Sequence, residues 1–205
     1  MLRIVISTSN EHKVKEIREV LHKFDVEVIS KNNIGLDHIE VEEDGQTLEE
    51  NAIKKAKELW KHTGGIVIAD DTGLFVKYLK GDPGVHSSRY AGEHATDSEN
   101  NTLLLKNMIN VSEKDRTAFF KTVIVVIDTQ ARLHLSEGIC YGKIGFEQKG
   151  EYGFGYDSLF IVDNIGKTFA QMSNEEKNNL SHRGKALSKL EKVLTEILHE
   201  TNNSQ

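Results

Sequence analysis

Apolar positions along the chain recur with a period of two in some stretches and near 3.6 in others, and the switches between the two mark the elements. Leu2 to Ile6 reads as a strand, and the polar turn Ser7-Thr8-Ser9-Asn10 leads into a helix with Val14, Ile17, Val20 and Leu21 on one face. A second helix opens at Thr47, where Glu50 three residues on completes a capping box. Its apolar face is Leu48, Ala52, Ala56, Leu59 and Trp60, and Gly64-Gly65 end it. The run Ile66 to Ala69 then reads as a buried strand, with Asp70-Asp71-Thr72-Gly73 as the turn at its end.

Gly81-Asp82-Pro83-Gly84 is a turn, and Thr96 with Glu99 opens a helix carrying Leu103, Leu104 and Met108. Two long β-type runs follow, Ala118 to Ile127 and Arg132 to Tyr141, and the short loop Asp128-Thr129-Gln130-Ala131 makes them a hairpin. Leu159 to Val162 is a further strand after a glycine-rich loop. A short helix capped by Ser173 precedes a long one capped by Ser181, with Leu187, Leu190, Leu194 and Ile197 inward, and residues 201–205 form a frayed tail. Helices interleaved with a central hairpin predict an α/β fold on a mixed sheet, spanning residues 1–200 as one domain or as two lobes sharing a sheet.

Composition narrows the function. The chain has 205 residues, 38% hydrophobic and 28% charged, enough for a substantial core. No apolar run approaches the ~20 residues that span a bilayer, and Met1 to Ser7 is too short before charge begins to serve as a signal peptide. The lone Cys140 permits no internal disulfide, which fits a cytoplasmic setting. A net charge of −6 argues against a nucleic-acid backbone as partner, while leaving room for a nucleotide pocket built from a few local cations.

The candidate chemistry starts with Asp70 and Asp71. Carboxylates delivered by a buried strand need a cation, a metal or water, and oxygen ligands of this type suit Mg²⁺ or Mn²⁺. Either acid could face the metal, since strand neighbours point to opposite faces. Glu42 or Glu43, in the acidic stretch before the second helix, could add a further ligand. Lys13 falls in the first turn of the helix capped by Asn10, against the helix dipole, unless an anion lies between them. Ser7, Thr8, Ser9 and Asn10 supply donors beside it. The pattern recurs where His182 and Arg183 follow Ser181, and two such helix starts suggest a ligand with several negative charges, which Lys177 could join. Phe154 and Tyr156, with Gly155 and Asp157, offer rings and a carboxylate to a base, or equally pack inward. Arg89 is either an anion partner or a bridging ion pair.

Five segments occur in this chain in a telling order: Thr8-Ser9-Asn10-Glu11-His12-Lys13, Ala69-Asp70-Asp71-Thr72-Gly73, Pro83-Gly84-Val85-His86-Ser87-Ser88-Arg89-Tyr90, Phe154-Gly155-Tyr156-Asp157 and Ser181-His182-Arg183-Gly184. In order and spacing the chain resembles the inosine/xanthosine triphosphate pyrophosphatases, over nearly its whole length. The resemblance implies Mg²⁺-dependent hydrolysis of ITP, dITP and XTP to monophosphate and pyrophosphate. It also implies an elongated mixed sheet flanked by helices, two lobes around a central cleft, and a homodimer; from charge and hydropathy, neither nucleic acid nor membrane is expected as a partner. Carried over by residue, Asp71 is the catalytic acid and a metal ligand, Glu42 the other ligand with Glu43 as alternative, and Thr8 to Lys13 the phosphate loop. Thr72 contacts substrate, Phe154, Gly155, Tyr156 and Asp157 form the base pocket, and Lys177, His182 and Arg183 close it. Tyr152, Ser158 and Leu48 depart from the family pattern at loop and packing positions. Two rival readings are a pyrophosphatase for other modified nucleotides and a nucleotide-binding module without turnover.

Overall fold

The protein is described by a computed structural model covering residues 2–203. Seven strands form one mixed sheet: β1 (Leu2–Ile6), β2 (Val26–Ser30), β3 (Ile66–Val76), β4 (Pro83–Gly84), β5 (Thr117–Ile127), β6 (Leu133–Ile144) and β7 (Phe160–Val162). Their order is β2-β1-β3-β5-β6-β7, with β4 paired to β3. β1 runs parallel to β2 and β3, while β3–β4 and β6–β7 are antiparallel, so the sheet is mixed as the sequence predicts. The helices are α1 (Glu11–Leu21), α2 (Leu48–Thr63), α3 (Asp97–Asn107), α4 (Asn174–Leu180) and α5 (His182–Asn203). Residues 201–203 of the expected tail continue α5, and Ser204 and Gln205 lie outside the described residues. No helix of the described residues is long and apolar enough to cross a membrane.

The helix starts follow their capping chemistry. Asn10 accepts from the backbone N–H groups of His12 and Lys13, and Thr47 from that of Glu50. Thr96–Glu99 and Ser173–Glu176 close complete capping boxes. Gly64 ends α2 in the left-handed conformation, donating to the Trp60 carbonyl.

The chain divides into two compact units, one of Met1–Asp71, Thr122–Gly138 and Arg183–Gln205, the other of Thr72–Lys121 and Ile139–His182. In the first unit Ile4, Ile6, Ile66, Ile68, Ile124 and Val126 project from one sheet face and pack with Val14, Ile17 and Leu21 of α1 and Leu187, Leu190 and Leu194 of α5. The alternate residues Val5, Val67, Val123 and Val125 point the other way and are buried too, as is the α2 stripe Leu48, Ala52, Ala56 and Leu59. In the second unit Leu74, Val76, Phe120, Ile144, Phe160 and Val162 form a core with Leu104 and Met108 of α3 and with Phe169.

Two expectations are corrected. The strand predicted to stop at Ala69 continues to Val76, so Asp70 and Asp71 lie inside β3 rather than in a turn. Gly73 makes this possible: a Cβ there would meet the Gly84 carbonyl oxygen at 2.5 Å, so only glycine lets β4 approach. Leu74 N–H then takes the Ser87 hydroxyl at 2.8 Å. Strand β2, unassigned from sequence, adds a parallel edge beside β1, from Leu2 opposite Val26 to Ile6 opposite Ser30.

Candidate functional site

Strand alternation sends the paired acids to different neighbours. Asp70 shares its face with Ile66 and Ile68, the face packed by α1 and α5. There its Oδ2 accepts from Lys13 Nζ at 3.1 Å and from Arg183 Nη2 at 3.0 Å. Arg183 is further paired with Glu16 of α1. Burial opposes the charge on Asp70, but Lys13, Arg183 and Lys55 outweigh it and hold the carboxyl far below the usual range. Arg183 is raised in turn, because Glu16 and Asp70 outweigh its burial. Lys13, which alone would oppose the dipole of α1, therefore has its anion within the protein.

Asp71 points the other way, with Val67 and Ala69. Its Oδ1 accepts from Lys55 Nζ at 2.8 Å, and its Oδ2 from Asn51 Nδ2 at 3.4 Å. Lys55 also donates to Glu43 Oε1 at 3.1 Å. Burial raises the Asp71 carboxyl, and Glu43 adds to the rise against the pull of Lys55 and Lys13. Burial works against charge on Lys55, but Asp71, Glu43 and Asp70 keep it protonated. The two adjacent carboxyls are thus shifted in opposite directions, Asp70 down by its cations and Asp71 up by its burial. The polar turn before α1 is ordered by its own bonds: Thr8 Oγ1 accepts from Asn10 N at 3.1 Å, and Ser9 Oγ donates to Asn32 Oδ1 at 3.2 Å. Glu11 and His12 are exposed at the start of α1.

The second unit gathers the other candidate set. Asp157 Oδ2 accepts from Lys177 Nζ at 2.7 Å and from Phe154 N at 3.0 Å. The Lys177 ammonium lies 4.7 Å from the Phe154 ring centroid and 5.8 Å from that of Phe169. His182 is buried and stacked on Phe120, with centroids 4.6 Å apart and planes 13° apart. Tyr156 is core: it is buried and its hydroxyl donates to the Ser87 carbonyl at 2.8 Å. Gly153 has φ +80°, and a Cβ there would fall 2.1 Å from Asp157 Oδ2, so the turn requires glycine. Thr72 follows Asp71 on β3, and Arg89 sits half-buried in the 3₁₀ turn Ser87–Arg89.

The sequence model of the Ham1 family matches residues 4–193. The chain belongs to the Ham1 family. It is similar to the dITP/XTP pyrophosphatase of Caldanaerobacter subterraneus subsp. tengcongensis, 50% identical over 98% of this chain and 100% of the relative. It is similar also to the dITP/XTP pyrophosphatase of Clostridium perfringens, 48% identical over 97% of this chain and 100% of that one. Among solved structures, the Ham1 protein of Staphylococcus aureus superposes with a TM-score of 0.83 at 39% identity, covering 94% of this chain and 98% of its own. The Ham1 protein of Coxiella burnetii gives a TM-score of 0.85 at 39% identity, covering 96% and 100%.

In this Ham1 chain the structure joins Lys13, Asp70 and Arg183 in one cluster, Asp71 and Glu43 around one ammonium, and Phe154, Asp157 and Lys177 in a third. Glu43 is thus the acid brought to Asp71's cation, while Glu42 is exposed. Lys55, Asn51 and Glu16 were not anticipated. The first two carried a signal: Leu48, Asn51, Ala52, Lys55, Ala56 and Leu59 fall on one stripe of α2 and all are buried. A lysine and an asparagine on such a stripe need buried polar partners.

Proposed function

We propose that this chain hydrolyses non-canonical purine nucleoside triphosphates (dITP, ITP and XTP) to the monophosphate and pyrophosphate. The observation that carries the mechanism is the unequal pair. Asp70 Oδ2 is paired with both Lys13 and Arg183, whereas Asp71 is raised and shares the Lys55 ammonium with Glu43. In this reading Asp71 accepts the proton of the water that attacks the α-phosphorus. The bond from that phosphorus to the bridging oxygen breaks, and pyrophosphate leaves toward Lys13, Lys55 and the start of α1.

The residues fit an oxygen-liganded divalent cation. Among the described residues no three His, Cys, Asp or Glu side chains form a ready cage. Asp71 and Glu43 already share one positive charge, that of Lys55. Two carboxylates completed by water and substrate phosphate oxygens are a common way of holding Mg²⁺, with Mn²⁺ as a substitute. When bound, such an ion screens the triphosphate and acidifies the attacking water. We assign it to Asp71 and Glu43 ahead of Glu42, because it is the Glu43 carboxylate that reaches the shared ammonium.

Phe154, Lys177, Asp157 and His182 supply what a 6-oxopurine needs: a ring to stack on and donors for an oxygen acceptor. A buried donor facing an adenine amino group would go unpaired, a penalty of about 1–3 kcal/mol. A homodimer belongs to the same reading and rests on the resemblance, and a cytoplasmic setting rests on the lone Cys140; sedimentation velocity reads the dimer.

The test is pyrophosphate release with Mg²⁺ from ITP, XTP, ATP, GTP and dTTP by wild type and Asp71→Asn. Release confined to ITP and XTP, and reduced about 10²–10⁴-fold in the variant, is the expected result. Pyrimidine-biased release would overturn the base assignment, and no release at all would favour a binding module without turnover.

A further inference from the structure

The turn Gly153–Asp157 presents Phe154 and the Asp157 carboxylate, and its middle residue, Gly155, has the left-handed φ of +59°. A Cβ on Gly155 would meet nothing within 4 Å, so side-chain packing does not hold this peptide. Hydrogen bonds from α3 hold it instead. Gly155 N–H donates to Asp97 Oδ2 at 2.6 Å, and Asn101 Nδ2 donates to the Gly155 carbonyl at 2.9 Å. Asp97 and Asn101 lie four residues apart on α3, one turn apart on the same face. Asn101 Oδ1 is buried with no hydrogen-bond partner among the described residues, so the Gly155 carbonyl alone orients this amide.

The neighbouring residue braces a second segment. Asn100 Oδ1 accepts from Ala91 N at 2.8 Å and Asn100 Nδ2 donates to the Ser88 carbonyl at 3.0 Å. The Tyr156 hydroxyl ties the turn to Ser87 in the same stretch. The Thr96–Glu99 capping box fixes where α3 starts, and with it the position of Asp97. One short helix therefore sets two loops of this unit.

We propose that Asp97 and Asn101 are positioning residues that set base discrimination by clamping both polar groups of the Gly155 backbone. The proposal rests on the reading of Gly153–Asp157 as the purine-binding turn. A clamp of this kind preorganises the turn, so its loss is paid at binding of the base rather than in the hydrolytic step.

The experiment is steady-state pyrophosphate release from XTP, dITP, GTP and ATP by wild type, Asp97→Ala, Asp97→Asn and Asn101→Ala, with a melting curve for each. Asp97→Ala and Asn101→Ala should raise KM for XTP and dITP about tenfold, roughly the effect of one lost hydrogen bond, with kcat changed less than about threefold. The ratio of kcat/KM for XTP over GTP should fall by a similar factor. Asp97→Asn keeps an acceptor for Gly155 N–H and should stay near wild type. Unchanged KM and ratio in the alanine variants, a loss confined to kcat, or Asp97→Asn as impaired as Asp97→Ala would each overturn the proposal. Asp97 is exposed, so its variants carry the test if Asn101→Ala does not fold. A wild type with no preference among the purines would instead overturn the reading of the turn itself, and the clamp with it.

Discussion

Replacing Lys55 by Met isolates the cation shared by Asp71 and Glu43. Methionine keeps most of the buried stem and removes the ammonium. The Lys55 side chain is 11% exposed and Asp71 7%, with 2.8 Å between charged atoms, so this is a buried pair. Removing one partner of such a pair costs about 3–5 kcal/mol, because the remaining charge is left without compensation. Glu43 is 28% exposed and water takes up part of its charge, which points to the lower end, about 3 kcal/mol. For a chain of this size that is a fall in Tm of roughly 6–12 °C.

The assay is thermal unfolding of wild type and Lys55→Met in chelator and in excess Mg²⁺. A ligand at a hundred times its Kd stabilises by about 2.7 kcal/mol, so Mg²⁺ should restore most of what the variant loses. The wild type should gain less, since its ammonium already compensates the carboxylates and must yield to the ion. A fall below about 2 °C in chelator would mean that the pair adds little beyond its desolvation cost. Equal gains in both proteins would place the metal elsewhere and refute the assignment to Asp71 and Glu43.

At the β5–β6 hairpin, Asp128 accepts from Gln130 N, Arg132 N, Arg132 Nε and His134 Nε2. Burial works against its charge, but the bonds from His134 and Arg132 hold its carboxyl below the ordinary range. Its folded value lies below the unfolded one of about 3.9, so its contribution is complete above that pH and lost as pH falls through the folded value. Urea unfolding should therefore show a gap of about 1–3 kcal/mol between wild type and Asp128→Asn at pH 7, narrowing at pH 3 and below; a constant gap would refute it. Gly73→Ala should cost about 1–3 kcal/mol by forcing Gly84 away from β3, and a variant as stable as wild type in the same titration would show that β4 can shift freely.

The helices were legible because their starts are written in local chemistry: Asn10, Thr47, Thr96 and Ser173 cap where the sequence places them. Strand β2 was not. Val26-Glu27-Val28-Ile29 is short and follows α1 closely, and it becomes a strand by pairing with β1, a contact distant in sequence. The extent of β3 was hidden for a related reason. Two acids and a glycine read locally as a turn, and only Lys13, Lys55, Arg183 and the approach of β4 make them strand. The cations of the site were half legible. Lys13 and Arg183 stood out by opposing a helix dipole, whereas Lys55 hid within an otherwise apolar stripe.

In the proposed reading, the period of two gives the adjacent acids separate roles. Residues on opposite faces of β3 meet different helices, so a single backbone step separates two electrostatic environments. Asp70 faces the side of α1 and α5 and absorbs Lys13 and Arg183. Lys13 also pulls on Asp71. At Asp71 burial and Glu43 outweigh the pull of Lys55 and Lys13, and the carboxyl rises. Without a carboxylate at position 70, Lys13 would lose its partner beside the acid proposed to take the proton, while Arg183 would keep Glu16. The Lys13 ammonium would then pull the Asp71 carboxyl lower than it does now. Placing the two acids side by side on one strand lets the proposed phosphate-binding cluster and the proposed general base share a few ångströms of chain.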